Sequence, residues 1–211
     1  MVAFIRAFKT QESQSSCYGG AKDGTGAMST EQWWTNVVRD TIASTGAPTS
    51  GEVWERIFHE LYSEVYTGKR GWQLASGAED TLAALRAWCP GKIGVLSNTD
   101  ERLLNILANL GVDKLLDFVV TSRDVGYEKP SPEIFKSALD AAGMDPSTKG
   151  LHIGDSYKHD VAGAHAAGWS SVLVCSKAKQ GQDLPHLYCD CFSDVPEVLG
   201  LTALQKNQLA N

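Results

Sequence analysis

Five polar side chains have the types that bind an anion together with a cation. They are Ser97, Asn98, Lys129, Asp155 and Asp160. A serine hydroxyl and the backbone N–H groups after it can donate to a phosphate oxygen, and a lysine ammonium is a point charge suited to the same oxygen. Two nearby carboxylates need a cation between them, and hard oxygen ligands favour Mg²⁺. The residue types therefore indicate a phosphate site next to a magnesium site.

Short apolar runs precede each of these side chains. Ser97 follows Ile93–Leu96, Lys129 lies in the loop after Phe118–Thr121, and the two aspartates follow Gly150–Ile153. Apolar spacing predicts the remaining strands and helices of this region as Ala78–Trp88, Glu101–Leu110, Ser131–Ala142, Asp160–Ala167, Ser171–Cys175, Leu187–Phe192 and Asp194–Leu199. Alternating strands and helices predict a parallel sheet covered on both faces, with its ligand site at the carboxyl ends of the strands.

Each polar residue also has a simpler interpretation. Ser97 with Asn98 is a common helix-cap pair, Lys129 alone suits a solvated surface, and Asp160 alone suits an N-cap. Taken at successive strand ends, the functional interpretation is favoured for the whole set. Gly154 is expected to allow the tight turn that aims Asp155, and the three nearby histidines are interpreted as structural or surface residues because no carboxylate partner is evident: His152, His159 and His165.

The composition sets limits on partners and location. The 25 acidic and 19 basic residues give a net charge of −6, which argues against a broad basic surface for nucleic acid. No apolar stretch approaches the roughly 20 residues of a membrane helix. Five irregularly spaced cysteines fit a reducing compartment, with Cys89 and Cys175 expected in the core. The expectation is a cytoplasmic protein whose partner is a small substrate, with no nucleic acid or membrane partner; the oligomeric state is left open.

The N-terminal region has a different, helical texture. Ser29 is expected to cap a helix that carries Trp33 and Trp34, Glu52–Val65 repeats the helical spacing, and Gln11–Gly26 has the polar composition of a loop. The paired tryptophans suit either a stacking platform for a ligand or, as the favoured interpretation, one core and one interface side chain.

Three segments resemble sequence motifs of the haloacid dehalogenase superfamily. Gly94–Asn98 resembles its second motif, Gly126–Phe135 its third and His152–Gly168 its fourth. The resemblance implies an α/β fold, with a Rossmann-like parallel-sheet core at residues 71–211 and a helical cap at residues 1–70, and it spans nearly the whole chain.

The resemblance also implies a mechanism and roles. Members attack a phosphoester with an aspartate, form an aspartyl-phosphate and hydrolyse it with Mg²⁺ bound. By motif match, Ser97, with Asn98, would hold the phosphoryl group and Lys129 would neutralise it. Asp155 would bind Mg²⁺, and Asp160 would bind Mg²⁺ or steady Lys129. Such catalysis consists of positioning and charge compensation.

The chain departs from the family at the first motif, a central strand that ends in Asp-x-Asp. Asp23 in Asp23–Thr25 matches only the end of that motif, because position 21 is Ala and no apolar strand precedes it. We expect a truncated gene model, a splice form or a fragment, and a pseudoenzyme as the second explanation. The strands before Ser97 and Asp155 would then lack their shared neighbour, so the chain alone should be inactive and poorly stable.

The resulting hypothesis is a Mg²⁺-dependent phosphatase of a small phosphorylated metabolite. The alternative is a non-catalytic phosphate-binding or scaffold protein. A dehalogenase is a weaker third possibility, because a paired carboxylate site favours phosphoryl chemistry.

Overall fold

The computed structural model describes residues 1–175 and 187–201. The described chain forms two compact units, which we treat separately. The helical unit comprises Met1–Gln73, Leu96–Asp113 and Val120–Glu128. The sheet unit comprises Leu74–Val95, Lys114–Val119 and, among the described residues, 129–175 and 187–201.

The α-helices are α1 (Val2–Gln14), α2 (Ser16–Gly19), α3 (Thr30–Ala43), α4 (Glu52–His59), α5 (Ala78–Trp88), α6 (Leu103–Leu110), α7 (Ser122–Val125), α8 (Pro132–Ala141), α9 (Gly163–Ala166) and α10 (Val195–Val198). Two π-helical segments, Glu60–Val65 and Tyr157–Ala162, continue α4 and precede α9. Short 3₁₀ turns occupy Asp113–Leu115 and Phe192–Asp194. The strands are β1 (Gly94–Ser97), β2 (Phe118–Thr121), β3 (Leu151–Gly154), β4 (Ser170–Val174) and β5 (Tyr188–Cys189).

The helical unit is built on the packing of α1 against α3. The Ser29 side chain accepts the Gln32 N–H at 3.1 Å and so caps the start of α3. Trp33 and Val37, one helical turn apart, are buried with Ala7 of α1. The Trp33 indole also donates to the Ser15 carbonyl at 2.7 Å. The expected core tryptophan is therefore Trp33, which is 1% exposed, while its neighbour in the sequence is only half-buried.

The sheet unit contains a parallel three-stranded sheet in the order β3-β4-β5. The pairing of Leu151 with Ser170 sets the register of β3 and β4. One apolar cluster joins α5, β4, β5 and α10: Leu85, Val172, Cys189, Val195 and Leu201. Val172 and Val195 are fully buried, and each such side chain contributes about 1.5–3 kcal/mol. This cluster holds β4 and β5, and pairing with β4 positions β3.

Within the described residues, β1 and β2 form a separate two-stranded sheet, so β1 and β3 belong to different sheets. The expected α/β architecture with parallel strands is confirmed. None of the described helices has the length and apolar character needed to cross a membrane.

Several local predictions were wrong for physical reasons. The predicted loop Gln11–Gly26 is helical as far as Gln14, the end of α1, which packs on α3, whereas Cys17 and Tyr18 in α2 have left-handed backbone angles. Ser15 between them is buried, with its carbonyl accepting from the Trp33 indole and its hydroxyl donating to the Gly26 carbonyl. Ser131 is the N-cap residue of α8 and Pro132 begins the helix, but the Ser131 hydroxyl bonds the Glu133 side chain rather than a backbone N–H.

The thiol prediction also needs correction. Cys89 and Cys175 are half-buried rather than in the core. The buried thiols are Cys17 and Cys189, and burial raises the pKa of each to about 11. Both therefore stay protonated and unreactive near neutral pH, as small core residues.

Candidate functional site

Asp160 lies at the centre of the polar network in the sheet unit. Its Oδ1 accepts from the Lys129 ammonium at 2.6 Å and lies 2.9 Å from His152 Nε2. Its Oδ2 accepts the Ser156 N–H at 2.8 Å. Burial raises the pKa of the carboxyl, but the hydrogen bonds from His152 and Lys129 outweigh it and hold the pKa well below its usual range. Asp160 is therefore a fixed anion with both oxygens engaged.

The local fold explains why Asp160 reaches this position. It lies within the π-helical segment Tyr157–Ala162, whose start is capped by the Ser156 side chain accepting the His159 N–H at 3.2 Å. The helix predicted over Asp160–Ala167 begins earlier, at Tyr157, and the alternative interpretation of Asp160 as an N-cap is wrong because Ser156 takes that role. Only 5% of the Asp160 side chain is exposed, so it turns inward onto the end of β3.

Gly154 makes room for this carboxylate. A Cβ atom built on Gly154 would stand 2.3 Å from Cγ of Asp160, far inside contact distance. Its φ angle is not among the positive glycine values, so the expected tight turn toward Asp155 is not the reason for glycine here. The reason is the close approach of the Asp160 side chain to the backbone.

Lys129 is held from both sides of its loop. Its side chain is 11% exposed, and its ammonium is paired with Asp160. The next residue, Pro130, packs closely on Gly163, where an added Cβ would meet the Pro130 Cα at 2.9 Å. The start of α9 thus approaches the loop that carries Lys129. The result is a largely buried, fixed ammonium beside the carboxyl end of β3.

His152 completes the network and was missed by the sequence analysis. It lies in β3, is 8% exposed, and has the Phe135 ring edge at 5.4 Å between centroids. The interpretation that no carboxylate partner exists for this histidine was wrong. A signal was available in the sequence: residues 152 and 154 share one face of a strand, so a carboxylate that packs on Gly154 meets His152. The other two histidines bond serines, His159 with Ser156 and His165 with Ser171.

Asp155 follows Gly154 directly at the end of β3, and its side chain is exposed. An exposed carboxylate offers the hard oxygen that Mg²⁺ binds. Because both oxygens of Asp160 are already hydrogen-bonded, this carboxylate is suited to hold the Lys129 ammonium rather than to bind a metal ion. Among the described residues, no three His, Cys, Asp or Glu side chains are grouped to hold a metal. The part of the chain that the structure describes thus offers one candidate Mg²⁺ ligand, Asp155, and not a grouped set of ligands.

Ser97 and Asn98 belong to the helical unit, at the end of β1, where both are half-buried. The Asn98 carbonyl accepts from the Tyr18 hydroxyl at 3.2 Å. The Ser97 carbonyl accepts the Thr99 N–H at 3.0 Å, which tightens the chain after the strand. Both residues thus lie in a turn at a strand end, as the sequence predicts.

Comparisons with known proteins place these residues in a family. A family model described as haloacid dehalogenase-like hydrolase matches residues 3–168. Haloacid dehalogenase-like hydrolase domain-containing protein 3 from Bos taurus is 39% identical over 172 residues, which cover 82% of this chain and 65% of that protein. The chain thus spans about 65% of the length of this curated relative.

Two further matches are a curated phosphatase and a solved structure. Glyceraldehyde 3-phosphate phosphatase from Methanothermobacter thermautotrophicus is 36% identical over 92 residues, 43% of this chain and 40% of that protein. The solved structure of the HAD-hydrolase YfnB from Bacillus subtilis, bound to magnesium, matches with a TM-score of 0.65 at 18% identity, covering 93% of this chain and 82% of that one. The chain belongs to the haloacid dehalogenase-like hydrolase family, in the group of haloacid dehalogenase-like hydrolase domain-containing protein 3.

Proposed function

We propose that the chain carries the phosphate- and metal-binding residues of a Mg²⁺-dependent phosphatase that acts on a small phosphorylated metabolite. In the sheet unit, Lys129 supplies the charge that neutralises a phosphoryl group. In the helical unit, Ser97 and Asn98 supply the polar groups proposed to donate hydrogen bonds to a phosphoryl oxygen. Asp155 is the metal ligand of the described chain. Asp160 takes the second of its two predicted roles and steadies Lys129.

One observation carries this proposal: the 2.6 Å pair between the Lys129 ammonium and the Asp160 carboxylate. A lysine at the surface is mobile, and its charge is screened by water. Here the ammonium is 11% exposed and is held by a buried anion at the carboxyl end of a parallel strand, where α/β sheets bind their ligands. A preorganised cation of this kind stabilises developing charge without a reorganisation cost.

Asp155, which directly follows β3, is the ligand that we propose for Mg²⁺. When bound, Mg²⁺ supplies positive charge that offsets the phosphoryl oxygens. The magnesium-bound relative from Bacillus subtilis supports this choice of ion. The relative named as a phosphatase supports phosphoester hydrolysis over dehalogenation.

The nucleophile of the family is an aspartate in an Asp-x-Asp motif, and no Asp-x-Asp occurs in the 211 residues. We therefore propose that this chain by itself binds phosphate but does not hydrolyse a phosphoester. The same observation favours a second candidate function, a non-catalytic phosphate-binding or scaffold protein.

The test measures binding and turnover on the 211-residue chain. Inorganic phosphate is titrated with and without Mg²⁺ and followed by ³¹P NMR, and p-nitrophenyl phosphate is offered as a generic phosphoester. We expect phosphate binding that Lys129→Met abolishes, a Mg²⁺ enhancement that Asp155→Ala removes, and no turnover. Lys9→Met, on the exposed side of α1, is the matched control and should bind like the unmodified chain.

Two results would contradict the proposal. Phosphate binding that is indifferent to Lys129→Met would remove its basis, and turnover by the chain alone would require another nucleophile. The sequence of the transcript upstream of the Met1 codon separates the two candidates. An in-frame apolar strand that ends in Asp-x-Asp supports the phosphatase, and its absence supports the scaffold.

A further inference from the structure

A buried ion pair lies in the helical unit directly after the predicted phosphate-binding residues. Asp100 is 2% exposed, and the Arg102 guanidinium grips its carboxylate in a fork, with Nε to Oδ1 and Nη2 to Oδ2 both at 2.8 Å. The Arg102 backbone N–H adds a bond to Oδ1 at 3.1 Å. The Trp34 indole N–H donates to Oδ2 at 2.8 Å. The carboxylate therefore accepts four donors, one of them from α3, 66 residues away in sequence.

The same arginine is fixed from its other side. Its guanidinium carbon lies 4.2 Å from the centre of the Tyr62 ring and 5.2 Å from that of Trp34. Its Nη1 donates to the Tyr62 carbonyl at 3.2 Å. Arg102 thus joins Asp100 to two separate helical segments, α3 and the π-helical continuation of α4. We refer to Asp100, Arg102, Trp34 and Tyr62 together as the clamp.

The turn before the clamp is tethered at successive residues. The Asn98 carbonyl accepts from the Tyr18 hydroxyl. The Thr99 carbonyl accepts from the Ser122 hydroxyl at 3.1 Å and from the Arg123 N–H at 3.2 Å. Asp100 is then held by the clamp. Ser97, three residues earlier, ends β1 and continues into this tethered turn.

Stability alone is a weak reason for a buried pair of this kind. Removing two charges from water costs several kcal/mol per ion, and apolar replacements of buried pairs are often neutral or stabilising. What a forked, stacked arginine provides is geometry, because its planar donors admit few alternative arrangements. The free-energy cost of burying Asp100 and Arg102 is therefore consistent with a role in fixing the orientation of the adjacent turn.

We propose that Asp100 and Arg102 are positioning residues, which fix the turn Ser97–Thr99 against the helices so that the Ser97 hydroxyl points in one direction toward an anion. The identity of that anion as a phosphoryl group rests on the proposed function. The fixing of the turn does not depend on it.

The test uses two variants that leave the fold largely intact. Arg102→Lys keeps the charge but loses the fork and the ring stacking, and Trp34→Phe keeps a ring but loses the indole donor. Arg70→Lys is the matched control, because Arg70 forms an exposed pair with Glu60 in the same unit, 64% and 50% exposed. Hydrogen–deuterium exchange of residues 97–99, thermal unfolding and inorganic phosphate affinity are measured for each.

We expect amide exchange at residues 97–99 to rise about tenfold in both clamp variants, with the unfolding midpoint shifted by only a few degrees. Phosphate affinity should fall by about fivefold or more, whereas the control should match the unmodified chain in all three measurements. Unchanged exchange at 97–99 in Trp34→Phe overturns the proposal. So does a uniform rise across the unit, which would indicate a merely structural role.

The exchange measurement still tests the clamp if a variant does not fold or if the chain binds no phosphate. If Arg102→Lys does not fold, Trp34→Phe alone decides the outcome by the same exchange criterion. If the unmodified chain binds no phosphate, the proposed function fails, while local exchange at residues 97–99 still judges the clamp.

Discussion

His152 and Asp160 meet at the end of β3, with the imidazole Nε2 2.9 Å from the carboxylate Oδ1. Oδ1 also accepts from the Lys129 ammonium, so the His152 nitrogen must carry the hydrogen to donate to it. One carboxylate oxygen therefore serves both a strand residue and a loop lysine. The position of the Lys129 ammonium therefore depends on a histidine that bonds the same carboxylate.

Replacing His152 tests this dependence. His152→Leu removes one donor from a buried carboxylate, and hydrogen bonds to charged groups contribute about 1.5–3 kcal/mol. We expect a loss of that size in the free energy of unfolding, measured by urea denaturation. His59 is exposed, and its Nδ1 lies 3.5 Å from the Ser63 hydroxyl. His59→Leu should therefore change stability by no more than about 0.5 kcal/mol. Equal stability of the two variants would show that the network does not need the imidazole.

Gly154 is expected to tolerate no side chain. In Gly154→Ala the new methyl group would overlap Cγ of Asp160, so the carboxylate must move away from Lys129. Overpacking of this kind costs about 1–3 kcal/mol. Gly91→Ala is the matched control, because the nearest atom to its added Cβ is the Cys89 sulfur at 3.7 Å, an ordinary contact. Urea denaturation of both variants measures the difference, and a Gly154→Ala protein as stable as the control would contradict the close packing.

The sequence predicts the strand ends well and the contacts across them less well. Lys129 and Asp160 were expected at one edge of one sheet, and they do pair. Within the described residues, however, β2, the strand before Lys129, belongs to a different sheet from β3. The partnership of Asp160 with His152 was not predicted, since it depends on the π-helical turn that folds the carboxylate back over Gly154. The spacing of residue types along the chain does not predict that π-helical turn.

The clamp illustrates the same limit. Asp100 and Arg102 have the spacing of an ordinary loop, and nothing local marks the aspartate as 2% exposed. Its burial depends on Trp34 and Tyr62, which lie 66 and about 40 residues earlier in the sequence. Contacts of such high sequence separation are set by packing of whole helices, which periodicity alone does not specify.

Acid should weaken the anchor of β1. Asp117 accepts the Ile93 N–H at 2.8 Å, and this bond together with the Arg86 side chain lowers the carboxyl pKa from 3.8 to about 2. A depressed folded-state pKa means that the contribution is fully present above pH 3.8 and is lost as the pH falls toward about 2. The thermal unfolding midpoint of the unmodified chain should therefore fall further between pH 3.8 and about pH 2 than that of Asp117→Asn. Asp40→Asn, on the exposed side of α3, removes an equal charge and should be as sensitive to acid as the unmodified chain. If all three proteins lose stability equally with falling pH, Asp117 is not the group responsible.

The pair between Lys129 and Asp160 should show strong energetic coupling. Lys129→Met leaves a buried carboxylate with less compensation, and breaking a buried pair from one side costs about 3–5 kcal/mol. Asp160→Asn removes the anion and should also destabilise the chain. The double variant leaves no uncompensated charge, so its loss should be smaller than the sum of the single losses by about 1–3 kcal/mol.

Urea denaturation of the four proteins gives this coupling energy directly. The exposed pair of Arg70 and Glu60 provides the matched cycle through Arg70→Met and Glu60→Gln, where solvent screening limits the coupling to about 0.2–1 kcal/mol. Additive losses at Lys129 and Asp160, or a coupling no larger than that of the exposed pair, would mean that the two groups do not hold one another. The fixed ammonium on which the proposed phosphate site depends would then have no physical support.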